Sequence, residues 1–214
     1  MLGKRRKESM NKPNRGFSHY FTEQPKSKPH YGIISTYLRD KRFKFMTASG
    51  VFSKNRVDLG TRLLIENMVL PKQGNVLDLG CGYGAVGIAA ASFNSSLNVF
   101  LIDVNIRAIR LARKSAEINN VENVTVKRGC LYEAVEEVAF DCILSNPPVS
   151  AGMKTVRAII SEAPAHMNRK ASLQMVVRSK IAGKRFCYFF EEAFSNISVL
   201  ARGSGYRVLM SEKR

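Results

Sequence analysis

An apolar strand that runs directly into a glycine cluster narrows the folding options of this chain more than any other feature. The segment reads Val76-Leu77-Asp78-Leu79-Gly80-Cys81-Gly82-Tyr83-Gly84-Ala85-Val86-Gly87. Glycines suit such a point because the backbone must turn sharply into a helix and let a ligand reach its amides. The helix that follows adds a partial positive charge at its N-terminus. Apolar runs on either side continue the alternation. Residues 75–79, 98–102, 124–127, 140–145 and 173–178 read as strands. Residues 86–93, 106–119, 153–168 (broken at Pro164) and 183–194 read as helices between them. Alternation of this kind implies an α/β fold, with a mainly parallel sheet covered by helices on both faces. Residues 197–201 and 207–211 close the chain. The turn between them is too short for a crossover helix, so they should form an antiparallel hairpin.

Upstream of the glycines, Asp58 is positioned to cap a helix over residues 58–69, with Leu59, Leu63, Leu64 and Met68 as its apolar face. Residues 33–38 and 42–47 look like two short strands. They lie in a region where Phe17, Tyr20, Phe21, Tyr31, Tyr37, Phe43, Phe45 and Phe52 are interleaved with Lys and Arg. Such a mixture can supply phosphate contacts and base-stacking surfaces. It can equally form a small hairpin whose aromatics pack on the main domain. Residues 1–16 are polar and basic and are expected to form a flexible arm. The expected organisation is therefore an arm at 1–16, a small aromatic and basic segment at 17–56, and a main domain at 57–214.

The chain carries 34 Lys and Arg against 17 Asp and Glu, a net charge of +17. Residues 1–60 hold 14 of the basic and 4 of the acidic residues, so the surplus is concentrated near the N-terminus. An excess this large self-repels unless a phosphate-rich partner offsets it, which points to nucleic acid. Hydrophobic residues make up 45%, so wholesale disorder is excluded. No apolar run approaches the ~20 residues of a membrane span, and no signal-peptide core follows the basic N-terminus. Cys81, Cys130, Cys142 and Cys187 form no CxxC pair, and His19, His30 and His166 are scattered. Neither set suits a metal site, and reduced thiols fit a cytoplasmic protein.

Asp103 ends the second strand of the alternation, 21 residues after Gly82, a spacing at which an acid can hold two ribose hydroxyls. Gly82, Gly84 and Gly87 fit a dinucleotide fingerprint, so a nicotinamide cofactor competes for this loop. Asp78 argues the other way. A carboxylate facing a pyrophosphate would be repelled, whereas one facing an amino-acid ammonium would be attracted. S-adenosylmethionine carries that ammonium and no phosphate, and it is the favoured cofactor.

The second motif is Asn146-Pro147-Pro148-Val149, at the end of the strand Phe140-Asp141-Cys142-Ile143-Leu144-Ser145. Two prolines stop the strand and stiffen the bend. Asn146 Oδ1 and the Pro147 carbonyl then form a rigid pair of acceptors at the carboxyl edge of the sheet, where ligands bind in open α/β folds. Two acceptors can hold both N–H groups of a planar exocyclic amine and turn its lone pair toward a methyl donor. Catalysis would then be positioning and electrostatics, with no metal and no covalent nucleophile.

Over roughly residues 57–214, the two motifs together resemble the class I S-adenosylmethionine-dependent methyltransferases of the Asn-Pro-Pro type. Gly50-Val51-Phe52-Ser53, Asp58-Leu59-Gly60-Thr61 and Ser150-Ala151-Gly152-Met153-Lys154 narrow the resemblance to the small-subunit ribosomal RNA guanine-N2 methyltransferases and their compact relatives. It implies a Rossmann-like sheet of seven strands ending in the antiparallel hairpin. It also implies cofactor contacts from Asp78, Gly80, Cys81, Gly82, Tyr83, Gly84, Asp103, Val104 and Asn146, with Cys130 at the adenine position. Asn146, Pro147 and Pro148 are the implied catalytic residues, and Phe52, Val149 and Lys154 the implied substrate contacts, with Asp58 carried over as a further candidate. Val149 stands where adenine enzymes often carry a stacking aromatic, which weakens an adenine target.

The implied activity is methylation of a guanine base in tRNA or rRNA, with the exocyclic N2 favoured. Four alternatives stay open: the guanine N7, a protein glutamine, a nicotinamide-dependent oxidation, and a non-catalytic RNA-binding role on the same scaffold. Arg157, Lys154, Arg178 and Lys180 are candidates to meet phosphates near the pocket.

Overall fold

The computed structural model describes residues 28–147, 152–180 and 184–214. The arm at 1–16, Phe17, Tyr20 and Phe21, and Pro148 and Val149 lie outside the described residues. Among those described, no helix is long and apolar enough to cross a membrane.

The chain opens with β1 (Tyr31–Leu38) and β2 (Lys41–Ala48), an antiparallel pair turned through Arg39 and Asp40, whose φ angles of 44° and 64° are both left-handed. Helix α1 (Leu59–Asn67) follows, then β3 (Gly74–Leu79), α2 (Ala85–Phe93), β4 (Leu97–Asp103), α3 (Ile106–Ile118), β5 (Val124–Arg128) and β6 (Phe140–Ser145). The chain ends with α4 (Met153–Glu162), β7 (Met167–Arg178), α5 (Lys184–Phe194), β8 (Ser198–Gly203) and β9 (Tyr206–Glu212). The main sheet has seven strands in the order β5-β4-β3-β6-β7-β9-β8. β9 runs antiparallel to both of its neighbours, while the pairs from β5 across to β7 are parallel. The strand order reverses between β3 and β6, so the crevice over their carboxyl ends is the natural ligand position. The closing hairpin turns on Ser204 and Gly205, both with positive φ, as a two-residue turn matched to the strand twist requires.

Strand alternation sorts the core into two layers. Val76 joins a cluster with α1, α2, α3 and the first hairpin, whereas Leu77 and Leu79 join one with α4 and α5. Asp78 shares the Val76 face, which aims it at α2. That helix is built of small residues and lies close to the sheet. A Cβ on Gly87 would sit 2.7 Å from Leu101 Cγ and 3.1 Å from Asp78 Cβ, so the residue must be glycine for helix and strand to approach this closely.

The first hairpin divides its aromatic residues between its two faces. Ile34, Leu38, Phe43 and Phe45 are buried in the same cluster as α1 to α3. Phe43 meets Phe93 edge-on at 5.9 Å, and Phe45 lies 5.7 Å from the Tyr83 ring. Hydrogen bonds along α3 fix the register. Met46 N donates to Ser115 Oγ (3.0 Å), Lys44 N donates to Asn119 Oδ1 (3.0 Å), and Asn119 Nδ2 donates to the Lys44 carbonyl (2.7 Å). Tyr31 and Tyr37 remain exposed.

Two local expectations need correction. The buried face of α1 is Gly60, Thr61, Leu64 and Ile65, continued by Met68, while Leu59 is exposed. The helix turns its small residues to the sheet because Tyr206 of β9 lies beneath it: a Cβ on Gly60 would come within 2.8 Å of that ring. The helix expected over 153–168 ends at Glu162, and a short 3-10 turn (Ala163–His166) leads directly into β7. Pro164 cannot continue the hydrogen-bond ladder. Lys213 Nζ donates to the carbonyls of Pro164 and Met167 at 2.7 Å each, holding the early start of the strand.

Candidate active site

Asp78 is 1% exposed, beneath the carboxyl end of β3. Its Oδ2 accepts from Gly87 N at 2.8 Å, its one hydrogen bond among the described residues. Burial pushes its carboxyl up to about 7, the Gly87 amide opposes that rise, and the nearby Asp103 adds to it. A carboxylate so poorly compensated gains from a cation placed beside it.

The turn after Leu79 is held by Gly80 N and Cys81 N, which both donate to the Ile102 carbonyl at 2.9 and 3.0 Å. Gly80 and Gly82 have φ of 78° and 58°, and a Cβ on either would meet no atom within 4 Å. The glycines thus leave open space beside the backbone. Asp103, at the end of β4, closes this side. Its Oδ2 accepts from Gly82 N and its Oδ1 from Asn105 N, both at 2.9 Å. The carboxylate, which Val104 N also bonds, keeps acceptor capacity for a hydroxyl. A buried acid for an ammonium, an open glycine turn, and a second acid for a diol fit S-adenosylmethionine.

Around this edge, Cys81 is buried, and burial pushes its thiol well above the usual cysteine range. Tyr83 packs under the hairpin against Phe45, and burial raises its phenol. Val104 is half-buried beside Asp103. Gly129 N donates to the Asp103 carbonyl at 3.2 Å, which brings the exposed Cys130 next to the same edge.

The second half of the site is a clamp on Asn146. Its Nδ2 donates to Thr61 Oγ1 at 2.8 Å and lies 3.4 Å from Asp58 Oδ2. Asp58 caps α1, its Oδ2 accepting from Gly60 N at 2.9 Å and Thr61 N at 3.2 Å. Its Oδ1 accepts from the Tyr206 hydroxyl at 3.4 Å, and the Arg178 guanidinium sits 5.7 Å over the Tyr206 ring. A carboxylate beside Asn146 demands the NH2 end of the amide, so the orientation is set electrostatically, and among the described residues nothing donates to Oδ1. Pro147 is buried immediately after it. Ser145 Oγ donates to the Leu79 carbonyl at 2.8 Å, tying the ends of β6 and β3 together.

A loop from the hairpin borders the crevice. Asn105 caps α3, its Oδ1 accepting from Arg107 N, while its Nδ2 donates to the Gly50 carbonyl at 3.1 Å. Arg107 Nη1 reaches the Ser49 carbonyl. Phe52, two residues on, is 52% exposed. Lys154 is exposed on the first turn of α4. Arg157 instead turns to α5, 3.4 Å from Glu192 and over the Phe189 ring.

The structure therefore gathers Asp78, the glycine turn and Asp103 on one side and Asn146 on the other. Thr61, Tyr206 and Asn105 join them without having been singled out from the sequence. Asn105 had a readable signal, an Asn just before a periodic helix. Tyr206 had none, because it reaches Asp58 from the far end of the chain.

A model of the methyltransferase small domain family matches residues 42–210. The chain is 38% identical over 197 residues to the Bacillus subtilis protein YbxB, covering 91% of this chain and 98% of that one. It is 31% identical over 189 residues to the ribosomal RNA small subunit methyltransferase C of Hamiltonella defensa, covering 86% of this chain and 55% of the relative. A Thermus thermophilus structure titled as a 16S rRNA N2 G1207 methyltransferase in complex with AdoMet and guanosine superposes with a TM-score of 0.76 at 26% identity. That superposition covers 86% of this chain and 51% of the other. The chain thus spans nearly all of the Bacillus protein and about half of the ribosomal RNA methyltransferases.

Proposed function

The chain belongs to the methyltransferase small domain family, and from that premise we propose that it transfers a methyl group from S-adenosylmethionine to the exocyclic N2 of a guanine in RNA. The observation that carries the target assignment is the clamped amide of Asn146, whose Nδ2 donates to Thr61 Oγ1 immediately before the buried Pro147.

When bound, S-adenosylmethionine supplies an electrophilic methyl group on a sulfonium. Asp78 holds its ammonium and Asp103 its ribose hydroxyls. The turn of Gly80, Cys81, Gly82, Tyr83 and Gly84 lies alongside, with Val104 and Cys130 at the adenine end. Asn146 Oδ1 and the Pro147 carbonyl accept the two N–H groups of the guanine amine. This holds the nitrogen in place and directs its lone pair out of the ring plane. The new N–CH3 bond would form as the methyl–sulfur bond breaks to leave a neutral thioether, and the amine would then release one proton to solvent; the work of the protein is orientation, because Asn146 takes no proton. The ring N7 has no hydrogen to offer these acceptors, so the pair favours the amine over it. The net charge of +17 supports RNA as the substrate. So do the names of the ribosomal RNA methyltransferases, half of whose length this chain matches. Phe52 and Lys154 border the target base on this reading, while Pro148 and Val149, outside the described residues, keep only the roles that the family resemblance implies.

Nucleoside mass spectrometry of RNA incubated with the protein and labelled S-adenosylmethionine tests the assignment. N2-methylguanosine is expected, and 7-methylguanosine or N6-methyladenosine in its place would overturn the target atom. Asn146→Ala should lower methyl transfer by about 100-fold or more, far more than it lowers cofactor affinity, to which Asn146 contributes only one of the implied contacts. Equal turnover in the variant would remove Asn146 from the mechanism.

A further inference from the structure

The outward face of the first hairpin carries a row that the methyl-transfer chemistry does not use. Tyr31, Ile33 and Tyr37 on β1 are 65%, 64% and 63% exposed. Alternation puts all three on one face, opposite the buried Ile34 and Leu38. Cross-strand register adds two cations to the same face, because Tyr37 pairs with Arg42 and Ser35 with Lys44. Both are exposed. Arg42 makes one bond from Nε to Ser35 Oγ at 3.3 Å, which leaves the rest of its guanidinium fork outward. No acidic side chain stands on this face in either strand.

The row also points somewhere. At about 3.4 Å per residue it runs about 20 Å from Tyr37 to Tyr31. Tyr31 pairs with Ala48, and the chain then passes through Ser49 and Gly50, whose carbonyls are bound by Arg107 and Asn105 beside Asp103. The track therefore ends at the crevice, next to the exposed Phe52. Aromatic rings in file with cations and no acids are complementary to unpaired bases and their phosphates.

We propose that this face is a stacking platform for a single-stranded RNA segment flanking the target nucleotide, with Tyr31 and Tyr37 under bases and Arg42 and Lys44 on phosphates. The platform rests on the reading of the substrate as RNA, but it is tested by binding without turnover.

The experiment titrates the full chain with a short fluorescent single-stranded RNA at several salt concentrations. Wild type is compared with Tyr31→Ala/Tyr37→Ala and with Arg42→Gln/Lys44→Gln. The tyrosine pair should weaken binding by at least about fivefold. The basic pair should flatten the slope of log affinity against log salt by about 1.4. Cofactor affinity should not change in either variant. RNA affinity unaltered in the tyrosine variant overturns the proposal. A dimer that the tyrosine variant dissociates, with RNA affinity unchanged, assigns the face to a second copy and also overturns it. So does a drop in Tm with unchanged RNA affinity, which assigns the face to the protein's own residues 1–27. Loss of RNA affinity in the variants, alongside a wild type that forms no methylguanosine, would leave the platform standing and sink the proposed target instead.

Discussion

Asn146 at the end of β6 donates its side-chain amide to Thr61 in the first turn of α1, across 2.8 Å and 85 positions of sequence. The contact joins the bend that would hold the acceptor to a helix outside the strand-and-crossover repeat. Asp58, at the cap of that helix, receives the same amide and the Tyr206 hydroxyl. The acceptor geometry of Asn146 therefore depends on three segments that are remote in sequence.

Thr61→Val keeps the shape of the side chain and removes the acceptor. The amide loses one of its two restraints, and single-turnover methyl transfer should fall by about tenfold, equivalent to one hydrogen bond of roughly 1.4 kcal/mol. The cofactor Kd should not move. Thr61→Ser should recover most of the rate, whereas a purely packing role for Thr61 would favour valine over serine.

The raised Asp78 carboxyl, near 7 in the folded protein against 3.8 for an ordinary Asp, couples stability to pH. The folded chain binds this proton more tightly than the unfolded chain, so the stability gained from it is full below about pH 4 and lost as pH rises through about 7. Denaturant titrations of the cofactor-free protein should isolate this contribution by comparison with Asp78→Asn. The substitution should stabilise the protein by about 1–4 kcal/mol at pH 8, with the difference shrinking toward pH 5. The same variant should bind S-adenosylmethionine at least tenfold more weakly at pH 8. Wild-type affinity should also decline as pH falls below 7, since the ammonium then meets a neutral acid. A pH-independent stability difference would refute the titration of Asp78.

Gly87→Ala places a methyl group 2.7 Å from Leu101 Cγ. Helix α2 must lift from β3 and β4, at a cost of about 1–3 kcal/mol read as a lowered Tm. The lift also disturbs the Gly87 amide that bonds Asp78, so cofactor affinity should drop with stability. Wild-type Tm in this variant would mean that the helix tolerates more distance than its packing indicates.

Asp78, the glycine turn, Asp103 and Asn146 were readable because each stands at a strand end, and strand ends are marked in the chain by an apolar run meeting Gly, Asp or Pro. The mainly parallel sheet and its closing hairpin were equally accessible, since strand–helix alternation and a turn too short for a crossover leave few topologies. The helix face of α1 was legible only in part. Its apolar periodicity marked Leu64 and Met68, which are buried, and Leu63, which packs on the core, but it also marked the exposed Leu59, and it missed Gly60 and Thr61, which Tyr206 beneath the helix selects as the contact. Asp58 and Thr61 stood in a string that the sequence marked, but their part in orienting Asn146 was hidden, as was that of Tyr206, because those contacts are created by packing between segments remote in sequence. The early start of β7 at Met167 depended on Lys213, again a contact from the far end of the chain.

The bond from Ser145 to the Leu79 carbonyl lies one step beyond the last paired residues of β3 and β6, Asp78 and Leu144. It buttons the two strand tips together, so the spacing between the acid at the tip of β3 and the amide just past the tip of β6 is gauged in part by a single serine hydroxyl.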